Sequence, residues 1–247
     1  MTLLRAEALS TAFDHAAASY DRLVAVNPGY HTHLRRSARR LGLPHGGRGL
    51  RLLDLGCGTG ASTAALVRAA PGARILAVDA SAGMLARARA KSWSDRVSFV
   101  HAPAEQLGGA GVTGPFDAVF AAYLFRNVAD PDALLRAVHR LLAPGGRLGV
   151  HEYTLSGRAA HRAVWRLVSG GVVRPAGTLC GDRSLYRHLS DSVITFDTAG
   201  QFARRMARQG FTGVRTLPVP GWQTGIVHTF LASAGPVAAG PRRGALR

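Results

Sequence analysis

From residue 50 to residue 153 the chain alternates strand-length apolar runs with helix-length stretches, and few architectures accept that rhythm. The runs "LRLLDL" (50–55), "ARILAVD" (73–79), "RVSFV" (96–100), "FDAVFAAY" (116–123) and "RLGVHEY" (147–153) read as buried strands. Residues 61–70, 81–91 and 130–142 read as the helices between them. Parallel strands joined by right-handed helical crossovers bury both faces of such runs. The expected fold class is therefore α/β: a Rossmann-like, mostly parallel seven-stranded sheet with helices on both faces, closed by "GVRTLPV" (213–219) and "GIVHTFLA" (225–232). Ligands of such sheets bind beyond the carboxyl ends of the strands, so function is expected there.

The flanks predict the remaining organisation. Residues 3–24 and 31–41 look helical and form an expected cap over 1–49, joined by "LPHGGRG" (43–49) to a core of 50–233. A mostly helical insert interrupts the alternation at 154–195. Residues 197–209 form an amphipathic helix with Phe202, Ala203 and Met206 on one face. The Gly-, Pro- and Arg-rich stretch 234–247 is expected to be disordered. No apolar run reaches the roughly 18 residues of a membrane span, and the amino terminus lacks a basic-then-apolar leader pattern. Cys57 and Cys180 make neither a disulfide framework nor a metal site, which suits a reducing cytoplasm. His31 and His33, two apart on a helix, do not share a face, and no metal is expected. The net charge of +17 could favour nucleic acid or weak attraction to an anionic membrane surface. The arginines are scattered, however, with short clusters such as "RRSARR" (35–40), and Lys91 is the only lysine, so biased residue usage is a sufficient cause. A nucleic-acid partner is not expected.

The segment "LDLGCGTGASTAAL" (53–66) places Gly56, Gly58 and Gly60 between a strand and a helix. Glycine permits positive φ and close approach of a ligand to the backbone, and a helix starting at Ala61 favours an anionic group. Nineteen residues beyond Gly60, Asp79 ends the next strand, placed to accept two hydroxyl hydrogens from a ribose. Gly56-x-Gly58-x-x-Ala61 also matches the dinucleotide fingerprint. The glycines alone leave NAD and S-adenosyl-L-methionine both open.

Other segments separate the two. "LDLGCGTG", with Asp54 two residues before the first glycine, resembles motif I of the class I S-adenosylmethionine-dependent methyltransferases. "VDASAGML" (78–85) resembles their second motif, and "LLAPGGRLGVHEY" (141–153) the turn before their fifth strand. More narrowly, "AYLFRNVADPDALLRAVHRLLAPGGRLGVHEYT" (122–154) resembles the ubiquinone/menaquinone biosynthesis C-methyltransferase family, as do "FDHAAASYD" (13–21), "LYRHLSDSVITFDTAGQFARRMARQGFTGV" (185–214) and "TGIV" (224–227). That resemblance implies a cofactor, S-adenosyl-L-methionine, held by Asp54, Gly56, Cys57, Gly58, Gly60, Asp79, Ala80, Met84, Ala104 and Glu105. It implies methyl transfer to carbon of a small, lipophilic quinol- or phenol-like or isoprenoid-bearing acceptor. Arg126 and Asn127 would address the acceptor ring, and Tyr20, Tyr123 and Tyr186 would line its pocket. His151, ending the fifth strand, is a candidate general base. The chain departs from the family at Pro103, where an acidic residue normally faces the adenine amine, and at Leu124-Phe125, where a glycine is usual. O-, N- or C-methylation of a specialised metabolite is the alternative. No "NPPY"-like motif of nucleic-acid amine methylation follows the fourth strand.

Overall fold

A computed structural model describes residues 6–25, 27–173, 175 and 183–235. Helices α1 (Ala6–Ala25) and α2 (Tyr30–Arg40) precede the first strand. Then come β1 (Arg51–Leu55), α3 (Ala61–Ala69), β2 (Arg74–Asp79), α4 (Ala82–Arg89), β3 (Val97–His101), β4 (Phe116–Ala122), α5 (Pro131–Leu141) and β5 (Leu142–Tyr153). Helices α6 (Ala159–Val168), α7 (Arg183–Thr195) and α8 (Ala199–Arg208) lead to β6 (Phe211–Pro218) and β7 (Val227–Ala234). The seven strands form one sheet in the order β3-β2-β1-β4-β5-β7-β6. All pairs from β3 to β5 are parallel, and β7 runs antiparallel between β5 and β6.

Side-chain alternation explains why both faces are covered. Leu53 and Leu55 of β1 join Val119 and Ala121 of β4 in a core closed by Leu134, Leu135 and Val138 of α5 and by Phe202 and Met206 of α8. Leu52, Ala118 and Phe120 point to the opposite core, with Leu34, Ala38 and Leu41 of α2 and Ala65 and Leu66 of α3. The face expected for the helix at 197–209 is thus the buried one, and a capping box at Thr198 and Gln201 starts that helix.

One strand boundary shifts. β5 begins at Leu142 rather than at Arg147, because Leu142 already pairs with Phe116 of β4 and the "PGG" turn bulges out unpaired before the register resumes at Ala118 and Arg147. Among the described residues the insert holds α6, a π-helical stretch (Ser169–Val173) and α7. The expected tail disorder concerns residues that, apart from Ala234 and Gly235, lie outside the described ones, as does Cys180.

The strand order reverses around β1 and β4, whose helices leave toward opposite faces. The carboxyl ends of β1, β2 and β4 therefore meet at one edge, where a crevice must open.

Candidate active site

That crevice is a cavity of about 660 Å³. The β1–α3 loop forms its floor. Gly56 and Cys57 both donate their backbone N–H to Val78 O (2.8 and 3.0 Å), which stitches the loop to the end of β2. Asp79 completes the join: Oδ2 accepts from Gly58 N (2.7 Å) and Oδ1 from Ser81 N (2.9 Å). Each oxygen keeps a lone pair for a further donor. Burial raises the Asp79 pKa, and the two backbone donors work against that rise. Gly58 has φ +54, and a Cβ built on it would meet no protein atom within 4 Å. Its bare face looks into open space, which is the cradle that a close-lying ligand needs.

The cavity unites most of the expected residues. Gly56, Cys57, Gly58, Asp79, Ala80, Met84, Ala104 and Glu105 line it, as do Tyr20, Tyr123, Arg126 and Asn127. Met84 follows Ser81, whose hydroxyl caps α4 by accepting from Met84 N (3.0 Å). The Cys57 side chain packs beside Ala77 and Leu85, and burial pushes its thiol well above the ordinary range. Pro103 and Leu124, the two departures, are both in the lining. Leu124 rests on the glycine loop, where a Cβ on Gly56 would come within 3.1 Å of it.

Four expected residues stand outside the lining, each for a visible reason. Asp54 is buried beneath the loop and accepts from Ser62 Oγ (2.8 Å) and Thr63 Oγ1 (2.6 Å), tying β1 to the first turn of α3. Burial pushes its pKa up to about 7, and its Oδ1 has no partner. Gly60 caps α3 at φ +90 with Trp93 2.8 Å from where its Cβ would be, so it serves packing. His151 is fully buried, between Ser37 Oγ (2.9 Å) and Tyr123 Oη (2.9 Å). Desolvation brings its pKa down to about 3, so it is a neutral structural imidazole that supports Tyr123 from behind. Tyr186 is buried with Leu9 and Leu185 between α1 and α7.

Arg126 and Asn127 occupy a short turn (Phe125–Asn127) just beyond β4. Arg126 Nη1 pairs with Glu152 Oε1 (2.5 Å) and donates to Tyr123 O (3.0 Å). The guanidinium lies over the rings of Tyr153 (5.3 Å) and Tyr123 (5.6 Å). Burial works against its charge, but the Glu152 carboxylate more than offsets this, so Arg126 is held cationic. Its Nε has no hydrogen-bond partner. Asn127 donates through Nδ2 to Tyr123 O (2.9 Å), and its Oδ1 faces His188 Nε2 of α7 (3.0 Å). Tyr123 carries this load at φ +58, a strained backbone for a non-glycine residue. Tyr30 stacks on its ring at 5.5 Å. Burial pushes the phenols of Tyr20, Tyr30 and Tyr123 up, which keeps them protonated hydrogen-bonding groups.

Residues absent from the expected set close the site. Glu152 is the counter-ion of Arg126. Helix α1 spans the cavity and is fastened at both ends: Ser10 Oγ donates to Ala80 O (2.9 Å), Asp14 Oδ1 accepts from Gly83 N (2.8 Å) and Ser81 Oγ (2.5 Å), and Asp21 accepts from Thr59 Oγ1 (2.5 Å) and pairs with Lys91 (2.8 Å). Asp14 and Asp21 are seven residues apart, hence on one helix face, and that spacing is legible in "FDHAAASYD".

Comparison with known proteins gives consistent results. Residues 1–231 match the ubiE/COQ5 methyltransferase family. A demethylmenaquinone methyltransferase from Thermus thermophilus is 36% identical over 163 residues, covering 66% of this chain and 74% of the relative. The ubiquinone/menaquinone biosynthesis C-methyltransferase UbiE of Syntrophotalea carbinolica is 34% identical over 222 residues, 88% of this chain and 90% of the relative. Among solved structures, a SAM-dependent methyltransferase from Thermotoga maritima shares the fold with a TM-score of 0.63 at 20% identity, covering 92% of this chain and 99% of that one.

Proposed function

The chain belongs to the ubiE/COQ5 methyltransferase family, and from that premise we propose that its cavity holds S-adenosyl-L-methionine beside a lipophilic quinol-type acceptor that is methylated at a ring carbon. The observation that carries the reading is the shared cavity of Asp79 and Gly58 with Arg126 and Asn127, which sets a nucleoside-sized cradle against a buried cation. The residues present fit the cofactor. Asp79 offers free lone pairs for ribose hydroxyls, Gly58 leaves room for close approach, and Met84 and Ala104 are apolar walls for a base. When bound, the cofactor supplies an electrophilic methyl group on a sulfonium sulfur.

The chain's own groups do the rest by orientation and electrostatics. A carbon of a hydroquinone ring becomes nucleophilic as a neighbouring hydroxyl approaches the phenolate, and a free phenol has a pKa of about 10. A fixed cation lowers that value. Arg126 is such a cation, and it accepts no proton itself. Glu152 and the two tyrosine rings hold the guanidinium, so little reorganisation accompanies the developing negative charge. Asn127 anchors the same turn to α7 through His188, fixing the wall of the acceptor space. Tyr20, Tyr30, Leu34, Phe13 and Leu189 supply an apolar and aromatic lining that excludes water.

The test is methyl transfer from isotopically labelled S-adenosyl-L-methionine to demethylmenaquinol, with a catechol and an amine as competing acceptors. The expected product carries the label on a ring carbon, located by carbon–proton correlation. Label on oxygen or nitrogen, with no quinol turnover, would move the assignment to a specialised metabolite.

A further inference from the structure

Three large apolar side chains stand out in solvent among the described residues: Leu167 (77% exposed), Val164 (40%) and Trp222 (37%). Two lie on α6 and the third on the turn Gly221–Gln223. These elements adjoin, since a Cβ on Gly225 would overlap the His161 imidazole of α6. Helix α6 has an unusual orientation for a surface helix. Its buried anchor is Trp165, whose Nε1 donates to Ser190 O of α7 (3.1 Å). Ala160, Ala163, Val164 and Leu167 are exposed and recur at i, i+3, i+4 and i+7, so they share one face turned away from that anchor. Arg162 and Arg166 border that face, lining one shallow surface groove with Ala163 and Leu167. From Thr154 to Ser190 the sequence holds six arginines and a single acidic residue, Asp182.

We infer that α6, with Trp222 beside it, is the surface by which the protein lies on an anionic lipid bilayer. The apolar stripe enters the headgroup–acyl boundary while the flanking arginines meet lipid phosphates, which is the division of labour of an interfacial helix. A second copy of the chain is a poorer occupant. Twofold pairing of α6 would bring like-charged arginines together, and α6 has no carboxylate to answer them. Among the described residues no helix is long and apolar enough to cross a membrane, so contact is by a face. The face is also connected to the cavity. α6 is braced on α7, whose Leu189 lines the cavity and whose His188 holds Asn127. A docked α6 therefore sets the acceptor side of the cavity nearest the lipid. Docking itself requires no methyl transfer and goes beyond the reaction proposed above.

The experiment is sedimentation of the full chain with vesicles of phosphatidylcholine alone or mixed with phosphatidylglycerol. Binding is expected on the mixed vesicles at low salt. It should fall steeply as salt rises from about 0.1 M to about 1 M, where the screening length shrinks from about 10 Å to about 3 Å. Val164→Glu with Leu167→Glu should lower partitioning roughly 10–100-fold, through lost apolar burial. Arg162→Gln with Arg166→Gln should lower it about 5-fold per arginine. All these residues lie outside the cavity lining, so S-adenosylhomocysteine affinity should stay at the wild-type value and report intact folding. Undiminished vesicle binding by the glutamate variant would overturn the assignment. So would the absence of wild-type binding to phosphatidylglycerol vesicles, or a wild-type dimer that Leu167→Glu converts to monomer without any vesicle binding.

Discussion

Arg126 and Glu152 face each other at 2.5 Å with side chains 5% and 0% exposed, a buried ion pair at the back of the acceptor side. Removing one member leaves the other charge buried and uncompensated, at a cost of about 3–5 kcal/mol. Arg126→Ala is therefore expected to lower stability by about that amount, measured by denaturant unfolding, and Glu152→Ala likewise. The double variant Arg126→Met with Glu152→Gln should recover most of the loss while turnover stays about 10²–10³-fold down, the effect of losing one preorganised electrostatic donor. Near wild-type turnover by the double variant would remove Arg126 from the chemistry.

The glycine loop separates ligand binding from packing. Gly58→Ala puts a methyl group into the cavity, so calorimetry should show weakened S-adenosylhomocysteine binding. Gly60→Ala drives a methyl into Trp93, and its main effect should be on the melting temperature. Each also carries a positive-φ penalty of roughly 1–2 kcal/mol. Asp79→Ala should cost binding about 1.5–3 kcal/mol for each charge-assisted bond lost. Equal damage to affinity and stability in both glycine variants would contradict the division.

Two buried groups give opposite pH dependences. His151 has an ordinary value of 6.5 and a folded value of about 3, so between these the unfolded chain binds more protons. Its contribution is fully present above about pH 6.5 and is lost as pH falls toward 3. Asp54 goes from 3.8 to about 7, so its contribution is present below about pH 3.8 and is lost as pH rises through 7. His151→Gln removes the first and keeps the second. Between about pH 6.5 and pH 5, the wild type should lose about 2 kcal/mol relative to this variant, at about 1.4 kcal/mol per pH unit per proton. Parallel curves would show that His151 titrates normally. Correspondingly, no limb of the kcat/KM profile should vanish in the variant.

Helix α1 should govern ligand exchange. Asp21→Asn loosens its hold on Thr59 and Lys91, a largely exposed contact, so the expected effect is modest: S-adenosylhomocysteine dissociation faster by roughly 2–5-fold in stopped flow, with faster amide exchange across Ala6–Ala25. An unchanged dissociation rate would show that ligand leaves without moving α1.

Much of this architecture is legible in the chain because its signals are local. The runs ending at Leu55, Asp79 and Ala122 are apolar and short, and Gly58 and Asp79 keep the spacing that a strand–loop–helix unit imposes. The misreadings arise where tertiary placement decides. Asp54 precedes the cavity residue Leu55 and His151 pairs beside Ala122, yet a strand alternates faces, and both side chains point into the layer beneath α2 and α3. Gly60 reads like Gly58 until Trp93, thirty-three positions later, fills the space beside it. Glu152 is one residue from His151 in sequence. Only the pairing of β5 with β4 reveals that it, and not the histidine, faces Arg126.

The position of β7 bears on how this protein is made. Strand Val227–Ala234 is the last described element in the chain, yet it is an interior strand of the sheet, and Phe230 is wholly buried with Phe202 against it at 4.9 Å. Until those residues leave the ribosome, β5 presents an unpaired edge and β6 has no neighbour at all. The nascent chain must therefore wait with its central sheet open, the state most exposed to misassociation. A stop codon before residue 227 would remove an inner strand of the sheet and leave two unmatched edges, whereas a change in the chain after residue 235 would follow a sheet already paired.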